Sequence, residues 1–138
     1  MRSDTIRAKN LLDNACCTCV VCKGDAHYTA TERGVKPLLN WLDSDLSLQG
    51  FCAADKVVGR ATAFLYCLLG VEEVYAHVMS RPAAEVLLAH GISLEAGTLV
   101  DGIINRKGTG PCPFEDAVMD IQEPSEALIT IRRKFAQM

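Results

Sequence analysis

The chain has 138 residues, enough for one domain that buries about two-thirds of its unfolded surface with no disulfide or metal to hold it. With 49% hydrophobic and 22% charged residues it is not a disordered chain. A net charge of −3 speaks against a nucleic-acid partner, and the longest apolar run, 61–71, is about half of the roughly 20 residues that a membrane span needs.

The opening segment MRSDTIRAKNLLDN mixes both charge signs and lacks the apolar stretch of a secretory signal, so a cytoplasmic location is expected. There the seven cysteines should be mostly reduced, and an odd number cannot pair completely within the chain.

Residues 4–13 predict a helix, with Ile6, Leu11 and Leu12 apolar and Asp4 in the first turn, where its charge suits the helix dipole. The segment 16–24 is rich in β-formers, and Lys23-Gly24-Asp25 reads as a hairpin turn with 27–33 as the return strand. A helix follows over 35–46, with Pro37 tolerated in its first turn. GFCAAD (50–55) reads as a short buried strand. KVVGRATAFLYCLL (56–69) is apolar nearly all round and reads as a central helix ended by Gly70.

The run 71–79 predicts a strand. Ser80 then caps a helix that carries Pro82 in its first turn and stops at Gly91. The run 92–100 is a further strand, broken near Gly97, and 101–113 is a loop. A short helix over 114–121 and a last one over 124–136 complete the chain. The order is that of a single α/β domain over 1–138: a three-layer α/β/α arrangement whose mixed, mostly parallel sheet follows an N-terminal β-hairpin.

Three groups of residues carry chemistry. Cys16, Cys17, Cys19 and Cys22 contain a C-x2-C, but no second such pair exists. On a strand Cys17 and Cys19 face one way and Cys16 and Cys22 the other, so packing is the plainer reading. Neither an H-x-E nor a P-C-x-x-C occurs, which argues against zinc-dependent deamination, and no metal and no cofactor are expected. The second group is Asp55, read as a helix cap, with Lys56 and Arg60 four residues apart on one helix face, where they would meet an anion or solvent.

The third is NRKGTGPCPFE (105–115). If the helix starts at Pro113, Cys112 is its N-cap, and Glu115 at N3 can reach back to the cap backbone. A thiol in that place has its thiolate stabilised by the dipole and the free N–H groups. Gly108, Thr109 and Gly110 can form a backbone nest for an anion, with Asn105, Arg106 and Lys107 beside it. The same residues also make an ordinary loop-to-helix junction.

RGVKPLLNWL, AADKVVGRATAFL, VYAHVMSRPAAEVLLAHGI and INRKGTGPCPFE together resemble the bacterial family of domains of unknown function DUF1893, over roughly residues 16–121. That resemblance implies a cytidine deaminase-like fold without its zinc motifs, similar to the formate-dehydrogenase accessory sulfurtransferases. In such a fold two helix N-termini face the pocket, here near 32–36 and near Asp55-Lys56.

The matching positions imply Lys36, Lys56, Arg60, Asn105, Arg106, Gly108, Thr109 and Gly110 as ligand-binding residues and Cys112, Asp55 and Glu115 as candidate catalytic ones. Three functions follow as expectations. The first is a binding domain for a small anionic or nucleotide-like molecule. The second is a metal-free sulfur or acyl transferase using Cys112. The third is a self-associating scaffold, such as a homodimer joined through strand edges.

Overall fold

A computed structural model describes residues 1–104 and 107–137. The elements are α1 (Ser3–Asn14), β1 (Cys19–Lys23), β2 (Ala26–Ala30), α2 (Lys36–Asp43), β3 (Cys52–Val58), α3 (Arg60–Leu69), β4 (Glu73–Ser80), α4 (Arg81–Ala89), β5 (Ser93–Val100), α5 (Pro113–Ala117) and α6 (Pro124–Ala136). One five-stranded sheet has the order β2-β1-β3-β4-β5. The hairpin β1–β2 and the β1–β3 pair are antiparallel, whereas β3, β4 and β5 run parallel. Parallel neighbours need crossovers, and α3 and α4 supply them.

The alternation of side chains along the strands sorts the core into two layers. Val20, Cys22, Ala54 and Tyr75 pack with Ala8 and Leu12 of α1 on one face. Cys19, Val21, Ala53, Val74 and Ala76 pack on the other with α2, α3, α4 and α6. The α/β/α expectation therefore holds. Helix α3 is the centre of the larger layer: Phe64, Leu65 and Tyr66 are fully buried, as its all-round apolar character implies. It ends at Gly70, whose φ of 85° is a left-handed stop that other residues avoid. Ser80 caps α4 by accepting from Ala83 N–H.

Several expectations are corrected. Helix α3 does not start at 56: β3 continues to Val58, and Gly59 is the N-cap. The Val57-Val58 pair is β-branched and extends the strand. Asp55 is consequently a strand residue and no cap, and Lys56 and Arg60 lie on different elements. The return strand of the hairpin stops at Ala30, three residues short. Cys17 precedes β1 and packs in the α1 layer with Cys22, while Cys19 faces α3, so Cys17 and Cys19 do not share a face.

Strand β5 is not broken at Gly97 either, since it runs unbroken from Ser93 to Val100. The glycine serves close approach: a Cβ there would sit 2.8 Å from His77 O and 3.4 Å from the Tyr75 hydroxyl. Gly97→Ala should therefore push β5 off β4 and cost about 1–3 kcal/mol in urea unfolding. A loss below a few tenths would show that the edge strand absorbs the methyl freely.

Candidate functional site

The parallel strands β3, β4 and β5 deliver their carboxyl ends, and the amino ends of α3 and α4, to the same end of the sheet. Ligands of open α/β sheets bind at such ends. Antiparallel β1 begins there and β2 ends there, since Cys19 pairs with both Ala30 and Asp55. The start of α2 therefore lies at this end too.

The Asp55 carboxylate turns away from solvent, toward α3. The Tyr66 hydroxyl donates to its Oδ2 at 2.7 Å, and the Cys19 thiol lies 3.0 Å from the same hydroxyl. All three side chains are buried. Burial raises the Asp55 carboxyl to about 6, against the hydrogen bonds from Tyr66 and from the backbone of Val57 and Lys56. Burial and the nearby Asp55 charge push the Cys19 thiol far above its ordinary range. Tyr66 is driven up for the same reasons.

Glu115 occupies a separate seat. It does not turn back to cap its own helix, as its N3 position suggests. Its Oε2 accepts from Ala61 N–H at 3.2 Å, with the Arg60 N–H nearby, and its Oε1 accepts from the Ser80 hydroxyl at 3.1 Å. One buried carboxylate thus meets the free N–H groups of α3 and the N-cap of α4, where the dipoles favour negative charge. Gly59 makes room: a Cβ there would come within 2.7 Å of the carboxyl carbon. Burial raises the Glu115 carboxyl, while the bonds from Ala61 and Ser80 oppose the rise.

Asp55 and Glu115 have separate partners on α3: Tyr66 and Ala61 stand five residues apart, about 7.5 Å along the axis. Arg60 is also buried. Its Nε donates to Val118 O at 3.0 Å, its Nη2 to Ile121 O at 2.6 Å and its Nη1 to Pro82 O at 3.4 Å, and it stacks on Phe64. Its charge thereby ties the chain after α5 to the start of α3.

Lys56 is exposed and has no ion-pair partner among the described residues; its backbone N–H donates to Thr18 O. Lys36 begins α2 and lies 3.6 Å from Glu32 Oε2.

The glycine loop is closed at its base by Cys112 N–H donating to Ile103 O at 2.9 Å and by an Ile104–Pro111 bridge. Gly108, with φ of 70°, is an exposed turn, as is Thr109, and Gly110 is half-buried. Asn105 and Arg106 lie outside the described residues. Cys112 is the N-cap of α5, half-buried, and its thiol makes no hydrogen bond among the described residues. Among those residues no group of three or more His, Cys, Asp or Glu could hold a metal ion. Two surface depressions open at the opposite end of the sheet, one near Gly70 and Ile92 and one near Lys23 and Phe51.

Sequence reasoning misses the contact of Cys19 with Tyr66 and Asp55, the room that Gly59 makes for Glu115 and the bond from Ser80 to Glu115. Only Gly59 leaves a local signal, as a glycine between a Val-Val pair and a helix-forming run. It also misses a chain of polar contacts beside α1: the Tyr75 hydroxyl is 2.8 Å from His77 Nδ1, and His77 Nε2 is 3.0 Å from Asp13 Oδ1. Lys9 donates to the other oxygen of Asp13.

Two outcomes test this geometry. Asp55 is raised in the folded state, so its contribution is fully present below the unfolded value near 3.8 and is lost as pH rises through about 6. Wild-type stability should fall between about pH 4 and 7 by up to roughly 3 kcal/mol from this group, with Glu115 adding a loss of the same sign. Asp55→Asn should flatten that slope in unfolding curves across the range; an unchanged slope refutes the assignment.

For Glu115, Gly59→Ala should cost at least about 1 kcal/mol more in the wild type than in a Glu115→Ala background, where the methyl has space. Additive costs would mean the two do not touch in solution.

The family model of a domain of unknown function, DUF1893, matches residues 7–135. The crystal structure of a DUF1893 family protein from Thermotoga maritima is similar over 97% of this chain and 92% of that one, with a TM-score of 0.88 at 22% identity, which shows a shared fold. No curated protein matches. The chain belongs to the DUF1893 family.

Proposed function

We propose that the chain binds a small anionic, nucleotide-like molecule at the carboxyl end of β3. The observation that supports this is a separation of charge. Two acids of this end, Asp55 and Glu115, are drawn into the core, and the half-buried Glu32 and exposed Asp101 are paired with Lys36 and Arg81, while Lys56 stands exposed and without an ion-pair partner among the described residues. Lys36 at the start of α2 and Lys107 on the glycine loop are further exposed cations. A phosphate meeting Lys56 would also lie at the sheet end toward which the helix amino ends point. The nucleotide-like class comes from the resemblance to deaminase-like domains and is part of the proposal.

A thiol-transfer reading keeps one point in its favour, the Cys112 thiol, which makes no hydrogen bond among the described residues. Its two candidate proton acceptors are already engaged, Glu115, three residues on, by Ala61 and Ser80, and Asp55 by Tyr66. The binding reading therefore comes first. Thermal unfolding in low salt with a panel of nucleoside monophosphates and inorganic phosphate tests it. A ligand at about 100 times its Kd should add roughly 2.7 kcal/mol, a rise of several degrees in Tm. Lys56→Ala should abolish the rise and Cys112→Ser should keep it. Equal shifts in wild type and Lys56→Ala, or none from any member, would overturn the proposal. A shift lost only in Cys112→Ser would favour the transferase.

A further inference from the structure

The C-x2-C spacing offers Cys19 and Cys22 as partners, but the fold separates them. Cys19 lies on the α3 face against Tyr66, and Cys22 lies on the α1 face. The sheet instead places Cys22 directly opposite Cys52: the two are register partners in the antiparallel β1–β3 pair. Both are buried, and both are free thiols. Opposed residues of antiparallel strands have Cα atoms about 4.5 or 5.5 Å apart, and both values fall within the roughly 4.4–6.8 Å that a disulfide spans.

No other pairing in the cysteine-rich segment has this geometry. Cys17 shares the α1 layer but stands five residues from Cys22, about 16 Å along an extended chain. Cys16 is exposed and precedes the strand.

We infer that Cys22 and Cys52 form the oxidation site of this chain, closing a cross-strand disulfide beneath the first turns of α1. Opposed Cβ atoms sit about 4.5–5.5 Å apart and a disulfide holds them at about 3.5–4.5 Å, so the strands need at most a small approach to close the bond. Burial raises both thiols, with Asp4 and, at Cys52, Glu73 adding to the rise, while Arg7 beside Cys22 and Arg2 on the Cys52 side oppose it only in part.

Both thiols are buried, so access requires the first turns of α1 to lift from the sheet. The co-reactant is a small disulfide of the glutathione type. One cysteine thiolate attacks it and releases one small thiol, leaving a mixed disulfide. The second thiolate attacks the protein sulfur of that mixed disulfide and releases the other small thiol. Two cysteine protons and two electrons thereby pass to the small disulfide.

The test uses the full chain incubated with glutathione disulfide, then blocked, digested and mapped without reduction. The expected result is a loss of two mass units, with Cys22 and Cys52 in one linked peptide pair, reversed by excess reduced glutathione. Cys22→Ala and Cys52→Ala should each abolish the bond, and Cys19→Ala should leave it. The wild-type map stands alone if a variant folds poorly. A bond that uses Cys19, or no internal bond under conditions that fully cap exposed Cys16, would overturn the inference.

Discussion

The carboxylate of Glu115 is the contact on which the carboxyl end of the fold depends. The amino ends of α3 and α4 both present N–H groups that no helix bond can satisfy. In most junctions water or a local cap meets them. Here one side chain, from a five-residue helix far along the sequence, meets α3 directly and α4 through Ser80. Two consequences follow. Gly59 has no freedom to carry a side chain. The segment after the glycine loop is fixed at one point, and Arg60 fixes it at a second by donating to Val118 O and Ile121 O. Anion and cation cross in opposite directions between α3 and the α5 region, so each end of that junction is satisfied by the other.

This arrangement also shapes what the surface can do. A carboxylate left exposed at the sheet's carboxyl end would repel an anionic ligand. The fold buries two of them by different means, Glu115 through helix termini and Asp55 through Tyr66, and leaves Glu32 half-buried and Asp101 exposed but paired with Lys36 and Arg81. Both carboxyls are raised by burial, so both seats hold charge against a desolvation cost. A purely structural chain gains little from such seats, because apolar residues of similar volume pack as well or better. Their position at the ligand-binding end of an open α/β sheet is what gives them a functional reading.

Much of this fold is legible in the sequence wherever the signal is local. Gly70 ends α3, Ser80 with Pro82 starts α4, and Pro37 and Pro124 mark the first turns of α2 and α6. The error at 56–59 has a physical source. An apolar run does not reveal where a buried strand gives way to a buried helix, and the β-branched Val57-Val58 pair and Gly59 are the only local cues. The site was less legible. Glu115 meets Ala61 across 54 residues and Ser80 across 35, and a glutamate at N3 has a plausible local partner that hides the distant one. The Cys19–Tyr66–Asp55 contact needs the β1–β3 register before it can be seen.

The two faces of the sheet are held with different strength, and this divides the molecule's roles. On the α3 side four helices share one large apolar core. On the other side α1 alone covers a small cluster around Ala8 and Leu12. Polar contacts supplement that packing: Arg2 N–H to Glu73 at one end, and His77 to Asp13 at the other. Local opening follows the smallest apolar contact, so α1 is the element expected to lift first. Its departure would uncover Cys22 and Cys52 but leave Asp55 and Glu115 untouched, because those carboxylates belong to the α3 side. The proposed chemistry at the thiol pair and the proposed binding at the carboxyl end would therefore proceed independently.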